Sequence, residues 1–182
     1  MRADALRNHE RIVAAAVEVF SERGMDASLD EIAARADVGP GTLYRHFPTR
    51  EDLVNAVIQS WIDQIHDAAE KAAVSEKPPR QLLSDWFVVF VARISRNKGG
   101  PAKFVTAMGN TDSPIFNKCQ VLEAANDKVL ERLRRDGALR DGVDSLEVCR
   151  LVGAVAVVAD QAHLNESAVT SMLDIIVDGL LA

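Results

Sequence analysis

Residues 28–53 read Ser28-Leu-Asp-Glu-Ile-Ala-Ala-Arg-Ala-Asp-Val-Gly-Pro-Gly-Thr-Leu-Tyr-Arg-His-Phe47-Pro-Thr-Arg-Glu-Asp-Leu53, and their pattern decides the fold. The stretch reads as two short helices meeting at a sharp turn, then the start of a third. Ser28 and Glu31 have capping-box spacing, in which each side chain satisfies a backbone N–H that the first helical turn leaves unpaired. Leu29, Ile32, Ala33 and Ala36 give that helix one apolar face. Gly39 and Pro40 break the chain and restart it, and Pro40 suits the first helical position, where its missing N–H costs nothing. The second helix, about residues 40–46, is too short to be stable alone in water. Its neighbours must hold it, through Leu43 and Phe47. Thr49 and Asp52 then cap the next helix at the S/T-x-x-D/E spacing. A short, propped helix showing Thr42, Tyr44, Arg45 and His46 outward is what a helix-turn-helix offers to a DNA major groove.

Outward from this stretch the chain reads as helix throughout. Residues 5–23 carry Ile12, Ala15, Ala16, Val19 and Phe20 at helical spacing, and Gly24 ends the run. From Thr49 a long helix is expected to about residue 74, with Leu53, Val57, Trp61 and Ile65 on one stripe and Val54, Ile58 and Ile62 beside it. So wide a stripe predicts burial on more than one side. Pro78 and Pro79 stop it. Further helices are expected at about 79–97, 101–108 and 113–136, the last capped by Gly137. Two more follow at 144–163 and 166–181, and the apolar run 151–159 inside the first of them predicts full burial. No strand pattern, internal repeat or low-complexity tract interrupts this. The expected architecture is all-α with about nine helices. Residues 1–47 form a three-helix helix-turn-helix DNA-binding domain, and residues 48–182 a helical effector-binding and dimerisation domain.

Composition sets the class. An apolar fraction of 48% suffices for a packed core and argues against disorder. Residues 1–11 lack the apolar segment of a signal peptide, and 151–159 is too short to span a membrane. Two cysteines, Cys119 and Cys149, make no disulfide framework, so a reduced cytoplasmic protein is expected. The net charge of −6 runs against DNA binding, and residues 1–55 hold seven Arg against ten Asp and Glu. What matters is the face. Arg45 and Arg50, with Arg2, Arg7 and Arg11, could form a local basic stripe, while Glu18, Glu22, Asp26 and Asp37 face elsewhere.

The run Leu29-x-x-Ile-Ala…Val38-Gly-x-Gly-Thr-Leu-Tyr-x-His-Phe47-x-x-x-x-x-Leu53 closely resembles the DNA-binding signature of TetR-type transcriptional regulators. The resemblance begins near Ile12 and covers about the first 55 residues. It implies that Thr42, Tyr44 and Arg50 hold phosphates, with His46 near the backbone; Pro40 is a further candidate DNA-binding residue. Arg45 is the candidate for a base edge, because a guanidinium can contact guanine O6 and N7 in the major groove. Gly39, Pro40 and Gly41 stand where many relatives carry longer polar side chains, leaving fewer groups to read bases.

The C-terminal part offers a candidate effector pocket in Trp61, Trp86, Phe87, Phe90, Phe104 and Met108, with Phe116 nearby. Cys119, Asn126 and Gln161 could supply polar contacts, although aromatic stripes at helical spacing also build plain core. The last two long helices, more apolar than one face requires, are the candidate dimer interface. Asp63-x-x-His66 and Asp160-x-x-His163 resemble half of a helical di-metal motif, but the further glutamates are missing and no metal or other cofactor is expected. No nucleophile elbow, phosphate loop, H-E-x-x-H or C-x-x-C is present, so no enzyme is expected. The function expected is a ligand-responsive repressor: a homodimer on a palindromic operator, released by an unidentified small molecule, with no membrane partner. The alternatives are a constitutive or architectural DNA-binding dimer without effector, and a metal- or redox-responsive regulator using Cys119.

Overall fold

The computed structural model describes residues 2–24, 26–96 and 99–182, with side chains from residue 4 onward. Among them lie nine helices and no strand: α1 (Arg2–Arg23), α2 (Leu29–Arg35), α3 (Pro40–His46), α4 (Arg50–Ala73), α5 (Pro79–Ile94), α6 (Gly100–Ala107), α7 (Phe116–Arg135), α8 (Ser145–Ala162) and α9 (Glu166–Leu180). An antiparallel bridge joins Leu139, after α7, to Leu181, after α9. No helix among the described residues is long and apolar enough to cross a membrane. The chain divides into two compact units, Met1–Asp63 and Gln64–Ala182. The division falls within α4 rather than at residue 47, because Leu53 is buried in the N-terminal core and Val54, Ala56 and Val57 pack against it.

In the first unit α1 contributes Ile12, Ala16 and Val19, α2 contributes Ile32 and Ala33, and the α3 segment contributes Leu43 and Phe47. Gly24, at φ +89°, ends α1 and donates its N–H to Phe20 O at 3.0 Å. Only a residue without Cβ enters that conformation without strain. Ser28 caps α2 by accepting the Asp30 N–H at 3.2 Å. Glu31, expected to complete a box with Ser28, places its carboxylate 3.6 Å from Arg23, since a guanidinium is a stronger partner than a neutral amide. At α4 the box is complete: Thr49 N–H donates to Asp52 Oδ2 at 2.9 Å and Asp52 N–H to Thr49 Oγ1 at 3.1 Å. Along α4, Leu53, Ile65 and Ala69 are buried. Val57, Ile58, Trp61 and Ile62 stay half-buried, so the wide stripe is only partly covered.

The second unit is built on α8, which packs against α5, α6, α7 and α9. Val148, Cys149, Val152, Val155 and Ala156 form its buried face. A Cβ on Gly153 would lie 2.8 Å from Val105 Cγ2, so the missing side chain lets α6 seat against α8. The expectation that 151–159 is wholly buried fails on the other face. Leu151 is 52% and Val158 44% exposed, and Ala154 between them is exposed too. These positions recur at helical spacing on the side away from the core, as Ile175, 74% exposed, does on α9. α7 starts at Phe116, later than expected, because turns occupy the preceding residues: Ser113 N–H donates to Asn110 O at 3.1 Å and Phe116 N–H to Ser113 O at 3.0 Å.

One polar network crosses this core. The Trp86 indole N–H donates to Asn126 Oδ1 at 2.9 Å. Asn126 Nδ2 donates to Ser145 O at 3.3 Å and Ser145 Oγ at 3.0 Å. α5, α7 and the start of α8 are thus joined through one amide with no exposed surface. Asn126→Leu keeps the volume but orphans the indole N–H. A loss of about 1–3 kcal/mol is expected, read as a lower urea midpoint; an unchanged midpoint would deny the network its structural weight.

Candidate nucleic-acid interface

α3 is amphipathic over two turns. Leu43 and Phe47 form its buried underside at 0% and 3% exposure. Pro40, Gly41, Tyr44 and Arg45 are exposed, while Thr42 and His46 are half-buried. The turn before it is tightly specified. Ala36 caps α2, Asp37 takes the left-handed conformation at φ +52°, and Val38 N–H donates to Ala33 O at 3.0 Å. Gly39 then accepts from Thr42 N–H at 2.8 Å and Leu43 N–H at 3.2 Å, starting α3.

The outer edge of α3 is polar and ordered. Arg45 Nε donates to Gly41 O and Arg45 Nη2 to Thr42 Oγ1, each at 3.0 Å, so two candidate DNA-contacting side chains are hydrogen-bonded to each other. His46 turns the other way. Its ring lies 6.2 Å from His9 of α1, edge to face, and His9 lies 4.9 Å from Phe47. His46 therefore packs the end of α3 onto α1 while remaining partly open. Arg50, half-buried, opens α4.

The expected basic stripe takes a different form. Arg7 pairs with Asp4, and Arg11 pairs with Asp37 across 26 residues of sequence at 2.9 Å. Arg35 binds Glu22 at 3.0 Å and Glu18 at 3.3 Å, and its hydrogen bond and charge hold the Glu22 carboxyl below its ordinary value. The side chain of Arg2 lies outside the described residues. Glu18 and Glu22 are thus turned to α2, as the face argument requires, but Asp37 sits in the turn that leads into α3. The Arg11–Asp37 pair is the element that sequence reading missed, because nothing in residue spacing announces a left-handed aspartate.

In the second unit, Trp86, Phe87, Phe90, Phe104, Met108, Cys119 and Asn126 are all buried. The Phe90 and Phe104 rings meet edge to face at 5.9 Å, and the Cys119 thiol donates to Phe104 O at 3.6 Å. Burial pushes the Cys119 thiol up to about 11 and raises that of Cys149 as well. Of the other two members of the set, Trp61 belongs to the first unit and is half-buried, and Gln161 is exposed. An open cleft of about 520 Å³ lies elsewhere, along Glu123 and Asp127 of α7 and Asp144 and Ser145 at the start of α8. The carboxylate–histidine pairs are otherwise engaged. Asp63 accepts from Gln59 at 2.8 Å and Asp160 from Gly99 N–H at 3.1 Å, while His66 and His163 are exposed. Among the described residues no three His, Cys, Asp or Glu side chains are grouped to hold a metal ion.

Comparison with known proteins follows the two units. The profile of bacterial regulatory proteins of the tetR family matches residues 12–57. That of the C-terminal domain of SbtR-like transcriptional regulators matches residues 78–182. The HTH-type transcriptional activator FasR of Mycolicibacterium smegmatis is 30% identical over 167 residues, covering 89% of this chain and 75% of that protein. A TetR transcriptional regulator of known structure from Streptomyces coelicolor, SCO0520, superposes with a TM-score of 0.73 at 30% identity, covering 95% of this chain and 98% of that one. The TetR regulatory protein from Mycobacterium vanbaalenii does so with a TM-score of 0.70 at 29% identity, covering 100% and 99%. With the short propped helix, the all-helical second unit and these matches in agreement, the chain belongs to the TetR family of DNA-binding transcriptional regulators.

Proposed function

We propose that this chain is a repressor that binds a palindromic operator as a homodimer and releases it when a small molecule binds the helical unit of residues 64–182. The observation that carries the reading is α3: a polar edge of half-buried Thr42 and exposed Tyr44 and Arg45 on a helix whose underside is anchored by Leu43 and Phe47. Thr42, Tyr44 and Arg50, with Pro40 and His46 beside them, position the helix on phosphates, and Arg45 reads a guanine edge. One such helix covers a half-site, so two copies are needed about one helical turn, ~34 Å, apart. The exposed stripe Leu151, Ala154 and Val158 on α8, with Ile175 on α9, supports a two-fold contact through these helices.

The effector acts on the cluster of Trp86, Phe87, Phe90, Phe104, Met108, Cys119 and Asn126. Because these side chains are buried from solvent, entry of a ligand requires a helix to move. α6 is suited to this: it is short, and Gly99 and Gly109 at its ends take positive φ. A ligand that favours the DNA-incompetent arrangement by roughly 1–3 kcal/mol is enough to switch the protein. Two other readings each have one observation in their favour. The burial of the cluster suits a constitutive DNA-binding dimer, and the M. smegmatis relative bears the name activator. The redox reading draws no support from Cys119 or Cys149, since both thiols are buried and shifted away from thiolate.

Selection of the purified chain against random duplexes tests the function, and a palindromic winner with fixed half-site spacing is expected. General binding without enrichment would favour the constitutive reading. Arg45→Ala is expected to lose ~1–3 kcal/mol of discrimination at one base pair. Arg50→Ala is expected to weaken binding to every sequence, with the salt slope shallower by about 0.9. Identical behaviour of the two variants would overturn this division of roles. Leu151→Glu with Val158→Glu is expected to convert the dimer to a monomer in sedimentation velocity, and an intact dimer would move the interface elsewhere. Iodoacetamide at pH 8 is expected to leave both cysteines unmodified in the folded chain and to modify both after denaturation. Rapid labelling of Cys119 in the folded chain would revive the redox reading.

A further inference from the structure

We propose that Arg11 is a positioning residue for DNA recognition, which sets the orientation of α3 by clamping the Asp37 turn. The inference rests on the DNA-reading function proposed above. A single guanidinium nitrogen, Arg11 Nη2, donates both to the Asp37 carbonyl at 3.0 Å and to the Asp37 carboxylate at 2.9 Å. The two acceptors lie on either side of the Asp37 Cα. Holding both fixes the backbone of a residue at φ +52°, a conformation that side chains other than glycine's adopt at a cost.

Both ends of the clamp are placed to matter. Arg11 is fixed by its neighbours Ile12 and Val13, which lie in the core at 0% and 6% exposure. Asp37 is followed by Val38 and then Gly39, the cap of α3, so any rotation at Asp37 swings the start of α3. A seven-residue helix has little of its own to resist such a swing. The carboxylate it would free also carries the wrong charge for a surface meant to approach phosphates.

The clamp is solvent-exposed, with Arg11 and Asp37 side chains open to 47% and 95%. Such a pair contributes little to global stability. Its loss therefore shows in DNA affinity rather than in unfolding, which separates positioning from plain structural support. Glycine at position 37 adopts positive φ without strain and carries no charge, so it removes the need for the clamp.

The test uses the full chain and a fluorescent duplex enriched by the wild-type protein from a random pool. Arg11→Ala is expected to weaken binding about fivefold, with the salt slope unchanged and the melting temperature within about 3 °C of wild type. Adding Asp37→Gly to Arg11→Ala is expected to restore affinity to within about 1.5-fold of wild type. Wild-type affinity in Arg11→Ala, or a double variant as weak as the single one, overturns the proposal. So does a collapse of melting temperature in Arg11→Ala, which would mark a structural role. A salt slope shallower by about 0.9 would assign Arg11 to a phosphate and overturn it too. Failure of the wild-type chain to enrich any duplex overturns the DNA-reading function along with it, whereas an indifferent Arg11→Ala in a tight wild-type complex overturns this proposal alone.

Discussion

Leu43 and Phe47, buried beneath α3, are what allow seven residues to be a helix at all. Nucleating so short a helix costs more than its few backbone hydrogen bonds return in water, so its stability is borrowed from the core that α1, α2 and the start of α4 build around those two side chains. Every exposed group on α3 depends on that anchorage. The hydrogen bonds that align Arg45 with Gly41 and Thr42 are useful only on a helix that does not roll. The stacking of His46 and Phe47 with His9 adds a second point of contact at the far end of the helix.

What the residues announced in advance was mostly local. Thr49 and Asp52 close the capping box their spacing suggests, and Gly24 and Gly137 take the positive φ that ends α1 and α7. Helix caps are legible because both partners lie within one turn of each other. Side-chain partnership across the fold is not. Arg11 finds Asp37 and Arg35 finds Glu18 and Glu22 only because α1, α2 and the turn meet in space. Hydrophobic runs are ambiguous in a related way: 151–159 reads as apolar all round, yet only one side of α8 is covered within the chain. The aromatic set around Trp86 was recognisable as a cluster, but spacing alone could not say how deeply its side chains are buried.

The acidity of the DNA-binding unit takes on a physical sense once its pairs are known. Arg7, Arg11, Arg23 and Arg35 each face a carboxylate, and all but the Arg7–Asp4 pair, which lies within α1, tie α1 to α2 or to the turn before α3. Among the described residues of this unit, these four charges are already offset when a polyanion approaches. Binding must then depend on the fit of a well-held α3 rather than on bulk attraction, and long-range steering toward DNA is correspondingly small.

The contact at Gly153 turns close packing into a transmission. With 2.8 Å between the place of a missing Cβ and Val105 Cγ2, α6 and α8 share a boundary with no slack. Interiors packed this densely are nearly incompressible. A push that drives α6 toward α8 cannot be absorbed as local softness and has to reappear as displacement of α8 itself. The opposite side of α8 carries Leu151 and Val158, and through them a sub-ångström event deep in the helical unit acquires an outlet at the protein's surface.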